Sequence, residues 1–152
     1  RNVMLGYYEN QAAADEVIVD GFFHTGDIGK LDENGFVYIT GRKKNLIVLK
    51  NGKNIYPEEI ENALLDIPYI SEVVVYSANI AGEDNKALGA EIFPNIEKAN
   101  ADGIKDVEAV IKNAVSEYNK NQPAYKVIKQ IVFRKEEFEK TTTKKIKRNY
   151  NK

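Results

Sequence analysis

Leu46-Ile47-Val48-Leu49-Lys50-Asn51-Gly52-Lys53-Asn54-Ile55-Tyr56-Pro57-Glu58-Glu59-Ile60-Glu61 changes its period half-way along. The apolar run Leu46 to Leu49 and the return through Asn54-Ile55 flank an Asn-Gly pair, a strong hairpin signal because both residues tolerate φ > 0. Tyr56-Pro57-Glu58-Glu59 then opens a helix. Proline stands where the amide would be unbonded anyway, and two carboxylates face the positive end of the helix dipole. Ile60, Ala63, Leu64 and Ile67 follow at helical spacing, forming one buried stripe that stops before Pro68.

Toward the C-terminus, Ile70 to Tyr76 reads as a strand and Lys86 to Phe93 as another. Ile104, Val107, Ile111, Ala114, Val115 and Tyr118 give a second amphipathic helix, closed by Pro123, and Val127 to Phe133 gives a last strand. Toward the N-terminus, Gly41-Arg42-Lys43-Lys44-Asn45 interrupts the apolar pattern with charge and marks a boundary. The forty or so residues before it read as short β-structure, with Ile28 to Leu31 and Phe36 to Ile39 paired around Asn34-Gly35. The expected fold class is α+β: a hairpin and a helix-covered sheet at 46–152, a connecting hinge at 42–45, and an all-β segment at 1–41. Such a fold carries no chemistry by itself.

The 152 residues include no cysteine and one histidine, so disulfides, thiol catalysis and multi-histidine metal sites are excluded. At 43% hydrophobic the chain can bury a core, and no apolar run approaches the roughly 18 residues needed to span a bilayer. The chain opens Arg-Asn-Val-Met with neither an initiator methionine nor a leader pattern, which reads as part of something longer. Net charge is −1, unevenly spread. Lys140 to Lys152 holds six cations and no acid, whereas the preceding residues carry 16 basic against 23 acidic side chains. A cationic tail on an acidic body favours an anionic partner such as phosphate. Nucleic acid is a poor fit, since the acidic body would repel a duplex and the tail's only aromatic is Tyr150.

Four places could carry chemistry. In Thr25-Gly26-Asp27, the carboxylate could accept bonds from paired hydroxyls such as those of a ribose, or could simply close an Asx turn. Arg42-Lys43-Lys44 is either a solvated connector or an arginine fork followed by a pivot. Gly52 either serves its turn or leaves room for a ligand against the backbone. Lys140-Thr141-Thr142-Thr143-Lys144-Lys145-Ile146-Lys147-Arg148 is either a frayed cationic end or a set of hydroxyls and ammonium groups around a phosphoryl group. It lacks the glycines of a Walker loop. His24 has no partner pattern and reads as structural.

Taken in order, Phe23-His24-Thr25-Gly26-Asp27-Ile28-Gly29, Gly41-Arg42-Lys43-Lys44-Asn45-Leu46-Ile47, Gly52-Lys53-Asn54-Ile55-Tyr56-Pro57-Glu58-Glu59-Ile60-Glu61 and the terminal lysine motif resemble one known arrangement. It is the carboxy-terminal part of the acyl-adenylate-forming (AMP-binding) ligases, and most of all the long-chain fatty-acid–CoA ligases. The resemblance implies a two-step reaction. A carboxylate attacks the α-phosphate of ATP to give acyl-AMP and pyrophosphate, and the thiol of coenzyme A then displaces AMP.

By the same resemblance, Asp27 and Arg42 are the ATP or AMP ribose contacts, and Lys44 is the hinge about which a small mobile domain turns. Gly52 lies in a hairpin facing coenzyme A, and Lys145 bridges the acyl carboxylate and α-phosphate during adenylation. ATP, coenzyme A and Mg2+ are the implied small molecules, with Mg2+ held mainly by an N-terminal domain outside this chain. That domain is the implied protein partner and a fatty acid the implied substrate; an aryl, short-chain or amino-acid carboxylate is the alternative. Without the phosphate loop and acyl pocket, the chain alone is expected to be inactive. Cytoplasmic placement is implied, with or without peripheral contact of the parent with a membrane. A free-standing ligand-sensing domain is the rival from another class. The terminal motif departs from the family at two places, which usually hold proline where Glu139 stands and glycine where Lys144 stands. Val48 replaces a lysine common among relatives, making Lys50 the candidate second cation.

Overall fold

A computed structural model describes residues 2–49, 52–79 and 87–148. The chain divides into two compact units, Arg1–Lys44 and Asn45–Lys152.

In the first unit, α1 (Gln11–Val17) is followed by β1 (Ile18–Val19) and β2 (Phe22–Phe23), an antiparallel pair. Asp20 and Gly21 join them at φ 51° and 78°, the double left-handed geometry of the tightest hairpin turns. Next come β3 (Asp27–Leu31) and β4 (Val37–Arg42), also antiparallel, with a bulge after Ile28. The bulge needs Gly29, because a Cβ there would lie 2.9 Å from the Tyr38 carbonyl oxygen. At the connection, Asp32 accepts hydrogen bonds from the amides of Asn34 and Phe36 and from the Tyr38 hydroxyl. The Phe36 amide leads these contacts in holding the Asp32 carboxyl below its ordinary pKa.

The presence of α1 corrects the expectation of an all-β segment over 1–41. The helix has no apolar stripe, as Ala14 is its only buried residue, so the periodicity that exposed the other helices is missing. Its signals are alanine propensity and the Asn10 cap, whose side-chain oxygen accepts from the Ala13 amide at 3.1 Å.

After a 3-10 turn at Lys43–Asn45, the second unit begins with the hairpin β5 (Ile47–Val48) and β6 (Asn54–Ile55). Then follow α2 (Pro57–Leu65), β7 (Ile70–Ala78), β8 (Ala87–Pro94), α3 (Ile96–Ala101), α4 (Val107–Lys120) and β9 (Ile128–Phe133). The sheet order is β7-β8-β9, with β7–β8 antiparallel and β8–β9 parallel. A parallel neighbour requires a crossover, which α3 and α4 supply. Val73 and Val75, then Leu88, Ala90 and Ile92, alternate onto one sheet face and join Ile60 and Leu64 of α2 and Ile111 and Val115 of α4 in a single dry core. Ile67 lies beyond α2 yet packs against that core, as the stripe required.

The helix read from Ile104 begins at Val107, where the Asp106 carboxylate caps the Ala109 amide at 2.9 Å. The short α3 was not legible from periodicity; Asn95 caps it in the same way through the Lys98 amide. On the opposite sheet face Gly89 faces Tyr76 across the ladder, and a Cβ at Gly89 would lie 2.6 Å from the Tyr76 ring. The segment after β9 crosses that face too. Arg134 pairs with Glu91 at 2.9 Å and covers the Phe138 ring, while the Phe138 amide donates to Glu72 at 2.8 Å. Among the described residues, no helix is long and apolar enough to cross a membrane.

Candidate functional site

The β3–β4 register sets Asp27 opposite Arg42, and their side chains meet with Arg42 Nε 2.7 Å from Asp27 Oδ1. Thr25, not Asp27, makes the local turn: its hydroxyl accepts from the Asp27 amide at 3.1 Å, with Gly26 at φ 74°. The Asp27 carboxylate is thereby left for Arg42, whose guanidinium also donates to the Thr25 carbonyl at 3.3 Å. Both side chains keep solvent access, at 26% and 49% exposure, so the pair presents an acceptor and a fork of donors outward. Polyhydroxyl groups match that combination. His24 is exposed, and its backbone amide donates to the Val17 carbonyl at 2.7 Å.

Lys44 closes the first unit, exposed in the 3-10 turn. Gly52 is exposed at φ 76°, and a Cβ built on it would meet nothing within 4 Å. Its amide donates to the Leu49 carbonyl at 2.9 Å, and the Leu49 amide donates to the Lys53 carbonyl at 3.0 Å. Turn geometry and open space are thus both satisfied at this position. Lys50 and Asn51, like Tyr150 and Lys152, lie outside the described residues.

Residues 140–148 are folded, not frayed. Lys140 and Ile146 form an antiparallel bridge. Between them the Thr141 amide donates to the Lys145 carbonyl at 2.8 Å and the Lys144 amide to the Thr141 carbonyl at 2.9 Å, while the Thr141 hydroxyl accepts from the Lys145 amide at 3.2 Å. Lys144 occupies the turn at φ 61°. A left-handed backbone of this kind favours glycine over a residue with a side chain.

Three of the five cations from Lys140 to Arg148 are spoken for. Lys140 pairs with Glu72 and, at 2.6 Å, with Glu137, which together raise its pKa, the Glu137 hydrogen bond leading. Lys147 lies 3.9 Å from Glu139, and Arg148 pairs with Glu61. Among the described residues, Lys144 and Lys145 have no salt bridge.

Sequence reasoning missed Glu61 as a site-related residue. It is 6% exposed on α2, accepts from the Val75 amide on the outer edge of β7 at 2.7 Å, and holds Arg148. Burial pushes its pKa up; the Val75 amide and Arg148 pull the other way. Glu58, whose sequence position suggested only a helix-dipole role, accepts from Asn45 Nδ2 and lies 3.7 Å from Arg148. The available signal was an unmatched acid on the helix face bearing the apolar stripe. Among the described residues there is no group of three or more carboxylate, histidine or cysteine side chains placed to hold a metal ion.

The family model described as "AMP-binding enzyme C-terminal domain" matches residues 44–151. The chain belongs to this family. Among relatives of this AMP-binding C-terminal domain, the long-chain-fatty-acid–CoA ligase of Salmonella typhimurium strain LT2 is 36% identical over 147 residues, covering 96% of the chain and 24% of the ligase. The 2-succinylbenzoate–CoA ligase of Bacillus cytotoxicus is 41% identical over 88 residues, covering 58% of the chain and 17% of that protein. The chain therefore spans about a quarter or less of the length of these relatives. Among solved structures, the o-succinylbenzoate coenzyme A synthetase of Bacillus subtilis in complex with AMP superimposes with a TM-score of 0.77 at 28% identity, covering 99% of this chain and 28% of that one. The same synthetase has been solved with ATP and a magnesium ion, giving a TM-score of 0.74 at 28% identity over 95% of this chain and 27% of that one.

Proposed function

We propose that this chain is the C-terminal part of an AMP-forming acyl-CoA ligase, with residues 1–41 ending the large domain, 42–45 the hinge and 46–152 the mobile domain. The parent joins a carboxylate to ATP, releasing pyrophosphate, then transfers the acyl group from AMP to the thiol of coenzyme A. In this reading Asp27 accepts from the ribose hydroxyls of the nucleotide while Arg42, held by Asp27, donates to ribose or phosphate. Lys44 is the pivot, and the turn at Gly52 leaves the pantetheine arm space to pass. Any Mg2+ accompanies ATP and is held by residues outside this chain.

Lys145 serves adenylation. As the carboxylate attacks, charge accumulates on the α-phosphate oxygens, and an ammonium aimed there offsets it in a site closed to water. The observation that carries the reading is the folded lysine hairpin. Among the described residues it leaves Lys144 and Lys145 without carboxylate partners, and Lys144 holds the left-handed turn position. A long-chain fatty acid is the preferred substrate because the alignment with the Salmonella ligase runs through both units. A cytoplasmic location, with membrane contact of the parent only to collect such a lipid, goes with that choice.

The test uses the full-length ligase. Lys145→Ala should lower fatty-acid-dependent pyrophosphate release by about 10²–10³-fold, the usual cost of removing one group that stabilises transition-state charge. Thioester formation from supplied acyl-AMP should persist. If Lys145→Ala leaves pyrophosphate release intact and Lys144→Ala abolishes it, the lysine assignment moves by one. A wild-type parent that releases no pyrophosphate with any carboxylate removes the ligase reading.

A further inference from the structure

We infer that Arg148, together with Glu61 and Glu58 of α2, positions the lysine hairpin for adenylation, so that Lys145 moves as part of a rigid body and not on a loose tail. The inference rests on the ligase reading above and names residues which that reading leaves without a role.

The hairpin is tied at both legs. On the outgoing leg, Lys140 is paired with Glu72 of β7. On the returning leg, the Lys147 amide donates to the Glu139 carbonyl at 2.8 Å, and Arg148 then enters α2's acidic face to pair with Glu61. Arg148 and Glu61 are 17% and 7% exposed at their side chains, so the tie is largely out of solvent. Glu61 is itself fixed by the Val75 amide of β7. Both legs therefore converge on one sheet edge, and the residues between them are closed by the Thr141–Lys145 backbone bond.

The same carboxylate pair reaches the start of the unit. Glu58 accepts from Asn45, the residue directly after Lys44. Asn45, which opens the second unit, is thus linked through Glu58 to Arg148 and so to the hairpin that carries the proposed catalytic lysine. A buried guanidinium–carboxylate pair is a weak source of stability, because desolvation cancels much of its attraction. Its directional bonds do fix orientation. Orientation matters here, since a displacement of about 1 Å at a reacting centre can cost about 100-fold in rate.

The experiment compares wild type, Arg148→Ala and Lys145→Ala in the full-length ligase, scoring pyrophosphate release and thioester formation from supplied acyl-AMP separately. Amide exchange at Thr141, Lys144 and Lys147 is measured in the 152-residue chain. Arg148→Ala should lower the kcat of pyrophosphate release by about 100-fold with little change in KM for ATP. It should spare thioester formation and abolish protection of the three amides. Arg148→Lys, which restores charge without the planar fork, should recover only part of the rate.

Arg148→Ala leaves Glu61 buried and unpaired. Should it fail to fold, Glu61→Gln/Arg148→Met carries the same test, keeping an acceptor for Val75 without a buried charge. If both half-reactions fall together in the folded variant, Arg148 is merely structural and the inference is overturned. It is also overturned if pyrophosphate release and amide protection survive in Arg148→Ala while Lys145→Ala abolishes release, and the ligase reading then stands alone. A wild type without pyrophosphate release strikes the ligase reading instead, while the amide exchange still reports on the clamp.

Discussion

Residues 1–44 and 45–152 both carry apolar strands, yet only the second unit buries them. In the second, Ile55, Leu64, Ile92 and Ile111 are completely enclosed. In the first, Ala14 is the only buried hydrophobic side chain among the described residues, while Phe22, Leu31, Phe36, Val37 and Ile39 stand exposed, Leu31 at 70%. The difference lies in layers. The second unit lays two helices on one face of a three-stranded sheet, whereas the first consists of paired ribbons and one short helix. Two-stranded ribbons cannot shield both their faces, and an exposed apolar set of this size normally marks a surface that something else covers. A large N-terminal domain, as the ligase reading supplies, is the cover we propose.

The sharpest way to break this comparison is to separate the units. An excised 45–152 fragment should unfold in one cooperative urea transition. A 1–44 peptide should show no cooperative transition and no hairpin signals in its NMR spectrum. A folded 1–44 peptide would refute the need for a covering surface.

A smaller effect compares single side chains within the 152-residue chain. Leu64→Ala opens a cavity in the enclosed core and should cost about 2–5 kcal/mol. Ile39→Ala, in the exposed ribbon, should stay within about 0.5 kcal/mol. Equal costs in urea titrations would mean that the first unit packs more tightly than its exposure indicates.

The smallest effect sharpens the comparison inside the second unit, where the lysine hairpin resembles the first unit in being exposed and held by polar ties. Lys144 sits at φ 61°, a conformation that costs a side-chain-bearing residue about 1–2 kcal/mol. Glycine removes that cost but adds about 0.5–1 kcal/mol of chain entropy to the unfolded state. Lys144→Gly should therefore stabilise the fold by about 0.5–1 kcal/mol. A loss of stability would mean that the Lys144 side chain contributes contacts which offset its strain.

How much was legible in advance depended on how local the cause was. The start of α2 at Pro57 and its stripe through Leu64 were readable because capping and periodicity act within two or three turns. The hairpin from Asp27 to Arg42 was readable from its turn, with its strands one and two residues longer than expected. By contrast, α1 and α3 are short helices each burying one residue, so they leave a capping signal and little periodicity. Asp27 and Arg42 stood out as separate candidates. Their contact required the bulge at Gly29, which shifts the ladder so that these two residues face each other.

The lysine tail marks the division most clearly. Its charge, its hydroxyls and the order of its motifs were properties of the sequence alone, and with the other motifs they sufficed to indicate the family. Whether the tail was a frayed end or a fixed hairpin could not be read there. Its anchors Glu61 and Glu72 lie nearly seventy or more residues away along the chain. Contacts so far apart become neighbours only after α2 has packed against β7. Tertiary structure alone therefore decided which of the described cations are paired with carboxylates.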